Sequence, residues 1–154
     1  YMTKARGMAA EWERMANDGD HYRLTFDQPG TWSQKYNLVW DQILGLNIFN
    51  PAIAATEIPY YLKKQHIYGL PLDGRATYTK TDWVMWTACL APNKETFSQL
   101  IAPLHRFMNE TTDRVPMSDW IFTDKPNYRG FKARSVVGGY YLRLLQHQLA
   151  HQNP

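Results

Sequence analysis

Apolar residues spaced three and four apart mark out helices along most of this chain. Ala5, Met8, Ala9, Trp12, Met15 and Ala16 form one stripe of an amphipathic helix over residues 1–16, which Asn17-Asp18-Gly19-Asp20 ends. Tyr22, Leu24 and Phe26 alternate with polar residues over too few positions to demand a strand, and read as an extended loop ending at Gln28-Pro29-Gly30. A second helix is predicted over 33–46, capped by Ser33, with Tyr36, Val39, Trp40, Ile43 and Leu44 inward. Pro51 suits the first turn of a third, over 52–65. A fourth spans 79–90 and buries Trp83, Val84, Trp86, Thr87 and Leu90; a fifth, over 94–109, presents Phe97, Leu100, Ile101, Leu104 and Met108. The last, over 137–151, carries Tyr141, Leu144, Leu145 and Leu149. Six helices and no convincing strand predict an all-α domain.

A weak repeat refines that expectation. Lys35-Tyr36-Asn37-Leu38-Val39-Trp40 and Lys80-Thr81-Asp82-Trp83-Val84-Met85 align 45 residues apart, and Pro59 and Pro103 align 44 apart. A proline inside a helix costs roughly 3 kcal/mol, so one at the same point of two successive second helices argues for a shared bend. Short links join the first helix of each pair to the second, whereas long loops lead to the next pair. The unit is therefore an antiparallel helical hairpin, with all long loops at one end. The chain opens on the second member of one hairpin and closes on the first member of another. This predicts one domain over 1–154 that is part of a larger α/α array, with exposed apolar faces on its terminal helices unless another chain or copy covers them.

Composition narrows the function classes. Twenty-two aromatics against nine glycines and nine prolines exclude a disordered or low-complexity chain. The net charge of +3 is dispersed, its densest cluster being Lys63-Lys64, which does not suit a nucleic-acid partner. No run approaches the ~20 apolar residues of a membrane span. Cys89 is the single cysteine, so no intrachain disulfide can form, and its place in a helix suits core packing.

The unusual residues lie on the long loops. The first holds Asp27, Gln28, Trp32 and Tyr36; the second Asp73, Arg75, Tyr78, Lys80, Asp82 and Trp83; the third Arg114, Asp119, Trp120, Arg129 and Arg134. Carboxylates, guanidinium groups and indoles on one rim suit a small polar amide or sugar substrate. Thr81-Asp82-Trp83 and Ser118-Asp119-Trp120 each set a carboxylate beside an indole, a setting that can raise a carboxyl pKa for acid–base work. Asp82 and Asp119 are therefore the candidate catalytic residues, against the plainer reading that they cap turns. Trp32, Tyr36, Asp73, Arg75, Tyr78, Lys80, Trp83, Arg114, Trp120 and Arg134 are candidates for substrate binding, with Arg75, Arg114 or Arg134 gripping a carboxylate. His147 and His151 stand one helical turn apart without a third ligand, and no phosphate or dinucleotide fingerprint occurs, so neither a metal nor a cofactor is expected. Gly138-Gly139 suits a close helix contact. Asn109-Glu110-Thr111 has the form of a glycosylation sequon, a pattern common by chance.

Several runs resemble the glutaminase A family of fungi and of bacteria such as the Bacteroidetes. They are Asp18-Gly19-Asp20-His21-Tyr22-Arg23-Leu24, Pro29-Gly30-Thr31-Trp32-Ser33-Gln34-Lys35-Tyr36-Asn37-Leu38-Val39-Trp40-Asp41 and Tyr68-Gly69-Leu70-Pro71-Leu72-Asp73. Tyr78-Thr79-Lys80-Thr81-Asp82-Trp83, Asn109-Glu110-Thr111, Arg114-Val115-Pro116-Met117-Ser118-Asp119-Trp120 and the run from Gly130 to Gly139 extend the likeness over nearly the whole chain. The resemblance implies a secreted or periplasmic protein of several domains, the last a six-hairpin toroid similar to that of many glycoside hydrolases. It also implies hydrolysis of L-glutamine to L-glutamate and ammonia. It carries no catalytic set onto these positions, and a carbohydrate-active enzyme or a non-catalytic helical scaffold stand as alternatives.

Overall fold

The computed structural model describes residues 1–152 of the chain. Its helices are α1 (Met2–Ala16), α2 (Leu38–Ile43), α3 (Ala52–Lys64), α4 (Thr81–Ala88), α5 (Lys94–Glu110) and α6 (Leu142–Gln152), the last preceded by a 3-10 helix, Ser135–Tyr141. The long helices fall where the apolar stripes predict them. Asn93 caps α5, its side chain accepting the Thr96 N–H at 2.8 Å. Both α3 and α5 continue through their internal prolines, Pro59 and Pro103. Close to the second, Gln65 Nε2 donates to the Leu100 carbonyl at 2.9 Å and ties the two helices together.

The fold is helical, but the expectation of no strand is corrected. Tyr78–Lys80 (β1), Trp120–Phe122 (β2) and Tyr128–Gly130 (β3) form an antiparallel sheet in the order β1-β2-β3. Thr79 pairs with Ile121, and both are fully buried. Lys80 and Trp120 pair beside them with their side chains on the other face. Three-residue strands are too short to show a period, so the sequence pattern hid them. The predicted loop 110–134 thus contains a hairpin, and the predicted helix 79–90 begins only at Thr81.

The predicted helix 33–46 is also shortened, because its first turn is bonded elsewhere. The Gln34 amide donates to the Leu72 carbonyl at 2.9 Å, and the Lys35 amide donates to the Tyr61 hydroxyl at 2.8 Å. The buried Gln34 side chain donates to the Leu70 and Pro71 carbonyls and to Thr79 Oγ1, and accepts from Thr87 Oγ1. One glutamine thereby fixes the first long loop against the second loop, β1 and α4, with every polar atom satisfied.

The core lies between α3, α4, α5 and the inner face of the sheet, where Tyr61, Leu70, Val84, Leu100, Phe107 and Ile121 are almost wholly buried. Tyr36 stacks on Trp83 with ring centres 4.3 Å apart, and the Tyr140 hydroxyl donates to Thr81 Oγ1 at 2.6 Å. The starts of α2, α4 and α6 are therefore side by side, next to the sheet. The helices at the two ends stay partly bare. Met8 on α1 is exposed, as are Leu144 on α6 and Tyr141 just before it, and among the described side chains of α6 only Leu142 is buried. No helix among the described residues is long and apolar enough to cross a membrane.

This distribution sets the expected cost of truncation. Leu100→Ala should destabilise the protein by about 2–5 kcal/mol, whereas Leu144→Ala should stay within about 0.5 kcal/mol of wild type. Urea titration followed by circular dichroism checks both.

Candidate active site

The sheet gathers residues that are distant in sequence. Its register sets Lys80 opposite Trp120 and Trp120 opposite Gly130. The glycine is needed there, since a Cβ at 130 would lie 3.0 Å from the Trp120 ring. Lys80 Nζ sits over the Trp120 and Phe131 rings, 5.1 and 4.3 Å from their centres, and donates to Asp119 Oδ2 at 2.7 Å. Arg134 takes the same carboxylate in a two-pronged grip, Nε to Oδ1 at 3.0 Å and Nη2 to Oδ2 at 2.6 Å. The approach of Arg134 uses two left-handed residues, Phe131 (φ 46°) and Ala133 (φ 53°), a local strain of the kind often found at functional sites.

Asp119 is fully buried, which opposes its charge, but the hydrogen bonds from Arg134 and Lys80 prevail and hold its carboxyl below the usual range. The cluster of one carboxylate and two cations carries a net positive charge, and part of Arg134 reaches solvent.

Asp82 is its opposite. It lies in the first turn of α4 with only 5% of its surface exposed, and its Oδ1 has no hydrogen-bond partner among the described residues. Burial raises its carboxyl pKa, and the negative Asp119 adds to the rise, against the weaker pull of its own turn's amides and of Lys80. An unpaired buried acceptor costs roughly 1–3 kcal/mol. Two carboxylates whose surroundings push them in opposite directions are the arrangement from which acid–base roles are read. Around Asp82 stand the stacked Tyr36 and Trp83, and Tyr140, whose burial pushes its phenol up to about 12. Asp82 also raises the phenol of Tyr36, after burial the second cause of that shift.

Asp82, Asp119, Lys80, Trp120, Arg134, Tyr36 and Trp83 thus belong to one region, and Tyr78 borders it edge-on to Trp120 at 5.5 Å. Four other candidates do not join. Asp73 accepts from Arg75 through both carboxylate oxygens and also takes the Arg75 amide, so each neutralises the other. They line a separate hollow of about 320 Å³ with Trp32, Lys64 and His66. The Trp32 indole is almost wholly buried, with Gly74 packed against it. Arg114 donates to the carbonyls of Thr111 and Asn109 and so closes the C-terminal end of α5. Asp27 and Gln28 are exposed on the first loop. Asp73 is held by a partner two residues away, Arg75.

Other side chains at the site were not singled out from the sequence. Phe131 covers Lys80, Tyr140 bonds Thr81, and Trp86 sits one turn below Asp82. The only signals were an aromatic among the basic residues 129–134 and the two tyrosines after Gly138-Gly139. Gly139 does make the expected close contact: a Cβ there would come 2.9 Å from Asp82 Cβ and 2.8 Å from Trp86 Nε1. Cys89 is buried, and burial pushes its thiol up to about 11, which suits packing. His147 and His151 stack on each other in solvent, and no group of three or more potential ligands that could hold a metal occurs among the described residues.

The helical fold places a charged cluster, Lys80, Asp119 and Arg134, beside the start of α4. Residues 1–144 match the family described as the glutaminase A six helical-hairpin domain, and the chain belongs to that family. Glutaminase A of Aspergillus oryzae is 32% identical over 150 residues, which covers 92% of this chain and 21% of that protein. A protein of Arthroderma benhamiae named "probable glutaminase" is 27% identical over 171 residues, covering 92% of this chain and 19% of its own length. The chain therefore spans about a fifth of the length of the curated relatives it matches. No solved structure gives a significant match.

The two carboxylates should separate in a stability–pH experiment. The Asp119 pKa is lowered by folding, so its stabilisation is complete above the ordinary aspartate range and fades as pH falls through the folded value. Asp119→Asn should cost about 3 kcal/mol at pH 7, and less in acid. The Asp82 pKa is raised by folding, so its charge penalises the native state above that raised value and not below the ordinary range. Asp82→Asn should raise Tm at neutral pH and lose that advantage near pH 3, as read by calorimetry at both pH values.

Proposed function

We propose that this chain supplies one sector of an α/α toroid built of antiparallel helical hairpins, in an amidohydrolase that converts L-glutamine and water to L-glutamate and ammonia. The observation that carries this reading is the divergence of Asp82 and Asp119 beside two cations. Asp82, buried and unpaired, is the group suited to moving a proton. As a carboxylate it takes a proton from water while the water oxygen bonds to the carboxamide carbon. It then returns that proton to the nitrogen as the carbon–nitrogen bond breaks. Asp119 stays ionised and orients Lys80 and Arg134, whose remaining N–H groups face an incoming carboxylate. Tyr36 and Trp83 form an apolar wall that limits water.

Membership of a six helical-hairpin family, six α-helices among the described residues and coverage of a fifth of the relatives support the view that other hairpins complete the ring. In that arrangement they cover the bare faces of α1 and α6; a second copy of the chain is the alternative cover. A secreted or periplasmic setting belongs to the same reading. The carbohydrate alternative needs indoles with open faces. Trp32 is almost wholly buried, and Trp120 is flanked by Phe131, Arg129 and Lys80.

Ammonia release from glutamine, asparagine and an unrelated amide tests the proposal. The 154-residue chain alone should be inactive, and the protein carrying this segment with the remaining hairpins should release ammonia from glutamine. There Asp82→Asn should lower kcat by about 10²–10⁴-fold. Arg134→Met should chiefly raise KM. Full activity of the Asp82→Asn protein, or turnover of oligosaccharides in place of glutamine, would overturn the assignment.

A further inference from the structure

Two polar atoms on α4 have no partner among the described residues, Asp82 Oδ1 and Trp86 Nε1. Four positions apart, they lie on one face of the helix in adjacent turns. Both side chains meet the same point of the 3-10 helix, Gly139, where even a methyl group would collide with the indole nitrogen and with Asp82 Cβ. The 3-10 helix covers an acceptor and a donor that it does not satisfy.

We infer that Asp82 and the Trp86 indole N–H form a slot for a primary carboxamide, closed in this structure by the segment Ser135–Tyr141 and opened when that segment lifts. The inference rests on the glutaminase reading for the identity of the substrate and adds which atoms recognise its amide. A carboxamide offers one carbonyl acceptor and two N–H donors, and an indole can only donate. The carbonyl takes the Trp86 N–H and the amide nitrogen donates to the Asp82 carboxylate. A carboxylate ligand has no proton for Asp82 and brings a second negative charge, so the slot accepts the amide substrate and releases the acid product.

The covering segment lies at the surface. None of its residues is buried, and Val136 and Tyr141 are exposed. The Tyr140 hydroxyl ties it to Thr81, and Arg134 anchors its start to Asp119. The left-handed Phe131 and Ala133 precede it and can absorb a hinge change. Glycine at 139 lets it seat directly on the slot.

Indole N–H signals in nitrogen-15 NMR spectra of the protein provide the test, with Trp86 identified by Trp86→Phe. Propionamide should shift the Trp86 signal saturably, and propionate at equal concentration should not. Gly139→Ala cannot seat the segment, so exchange of the Trp86 N–H with solvent should quicken by about tenfold and propionamide should bind more tightly. Tyr140→Phe removes only the tie to Thr81 and should act in the same direction, which guards against a folding defect at position 139. A Trp86 signal that ignores propionamide, or that moves equally with propionate, overturns the slot even if glutamine is hydrolysed. An amide-specific shift upholds it even if the protein carrying the remaining hairpins leaves glutamine intact, a result that would count against the glutaminase reading alone.

Discussion

A fully buried carboxylate, Asp119, holds the candidate site of this molecule in place. Charge cannot be buried without compensation, and Asp119 finds it in Lys80 on β1 and Arg134 at the head of the 3-10 helix. Three segments that touch nowhere in sequence must therefore converge: the strand leading into α4, the residue before β2, and the turn leading to α6. Lys80 is held further by the rings of Trp120 and Phe131, and Trp120 needs the missing side chain of Gly130. Beside them the Thr81 amide donates to the Asp119 carbonyl at 2.8 Å, and Asp82 follows it into the buried first turn of α4.

The same convergence leaves Asp82 unsatisfied, and the rest of the scaffold offsets that cost. Gln34, with all its polar atoms bonded, stitches the first loop to β1 and α4. Glu57, buried in α3, accepts the Tyr22 amide at 2.8 Å and faces Lys35 at 3.5 Å, which anchors the same loop from behind. Gln34 is fully satisfied, whereas Glu57 Oε2, like Asp82 Oδ1, has no partner among the described residues. Local violations of this sort, set in an otherwise consistent framework, are expected where a protein does chemistry. Trp86 and the left-handed Phe131 and Ala133 are departures of the same kind in the same neighbourhood.

The sequence reveals the long helices because α1, α3 and α5 each run for 13 to 17 residues, enough for several turns of an apolar stripe. It hides the sheet because three residues give no period, and it overextends α2 because the bonds of Gln34 and Lys35 are made to distant segments. Among site residues, the paired Asp-Trp steps point correctly to Asp82 and Asp119 as neighbours, yet their opposite environments depend on Lys80 and Arg134, residues 39 and 15 positions from Asp119. Arg75 and Arg114 illustrate the reverse error. Each looks free in the sequence, and each is engaged by groups within five residues of itself. The role of Tyr140 rests on a bond to a residue 59 positions away, which no local pattern announces.

The proton affinities of the two aspartates decide the matter most directly. Carbon-13 chemical shifts of the side-chain carboxyls, followed by NMR as the pH is lowered, resolve each group separately. The account predicts that Asp82 takes up its proton above the ordinary aspartate range and Asp119 below it, with Asp119 moving up when Arg134 is replaced by methionine. Both groups titrating together near pH 4, or in the reverse order, would contradict the division of roles on which the site is built.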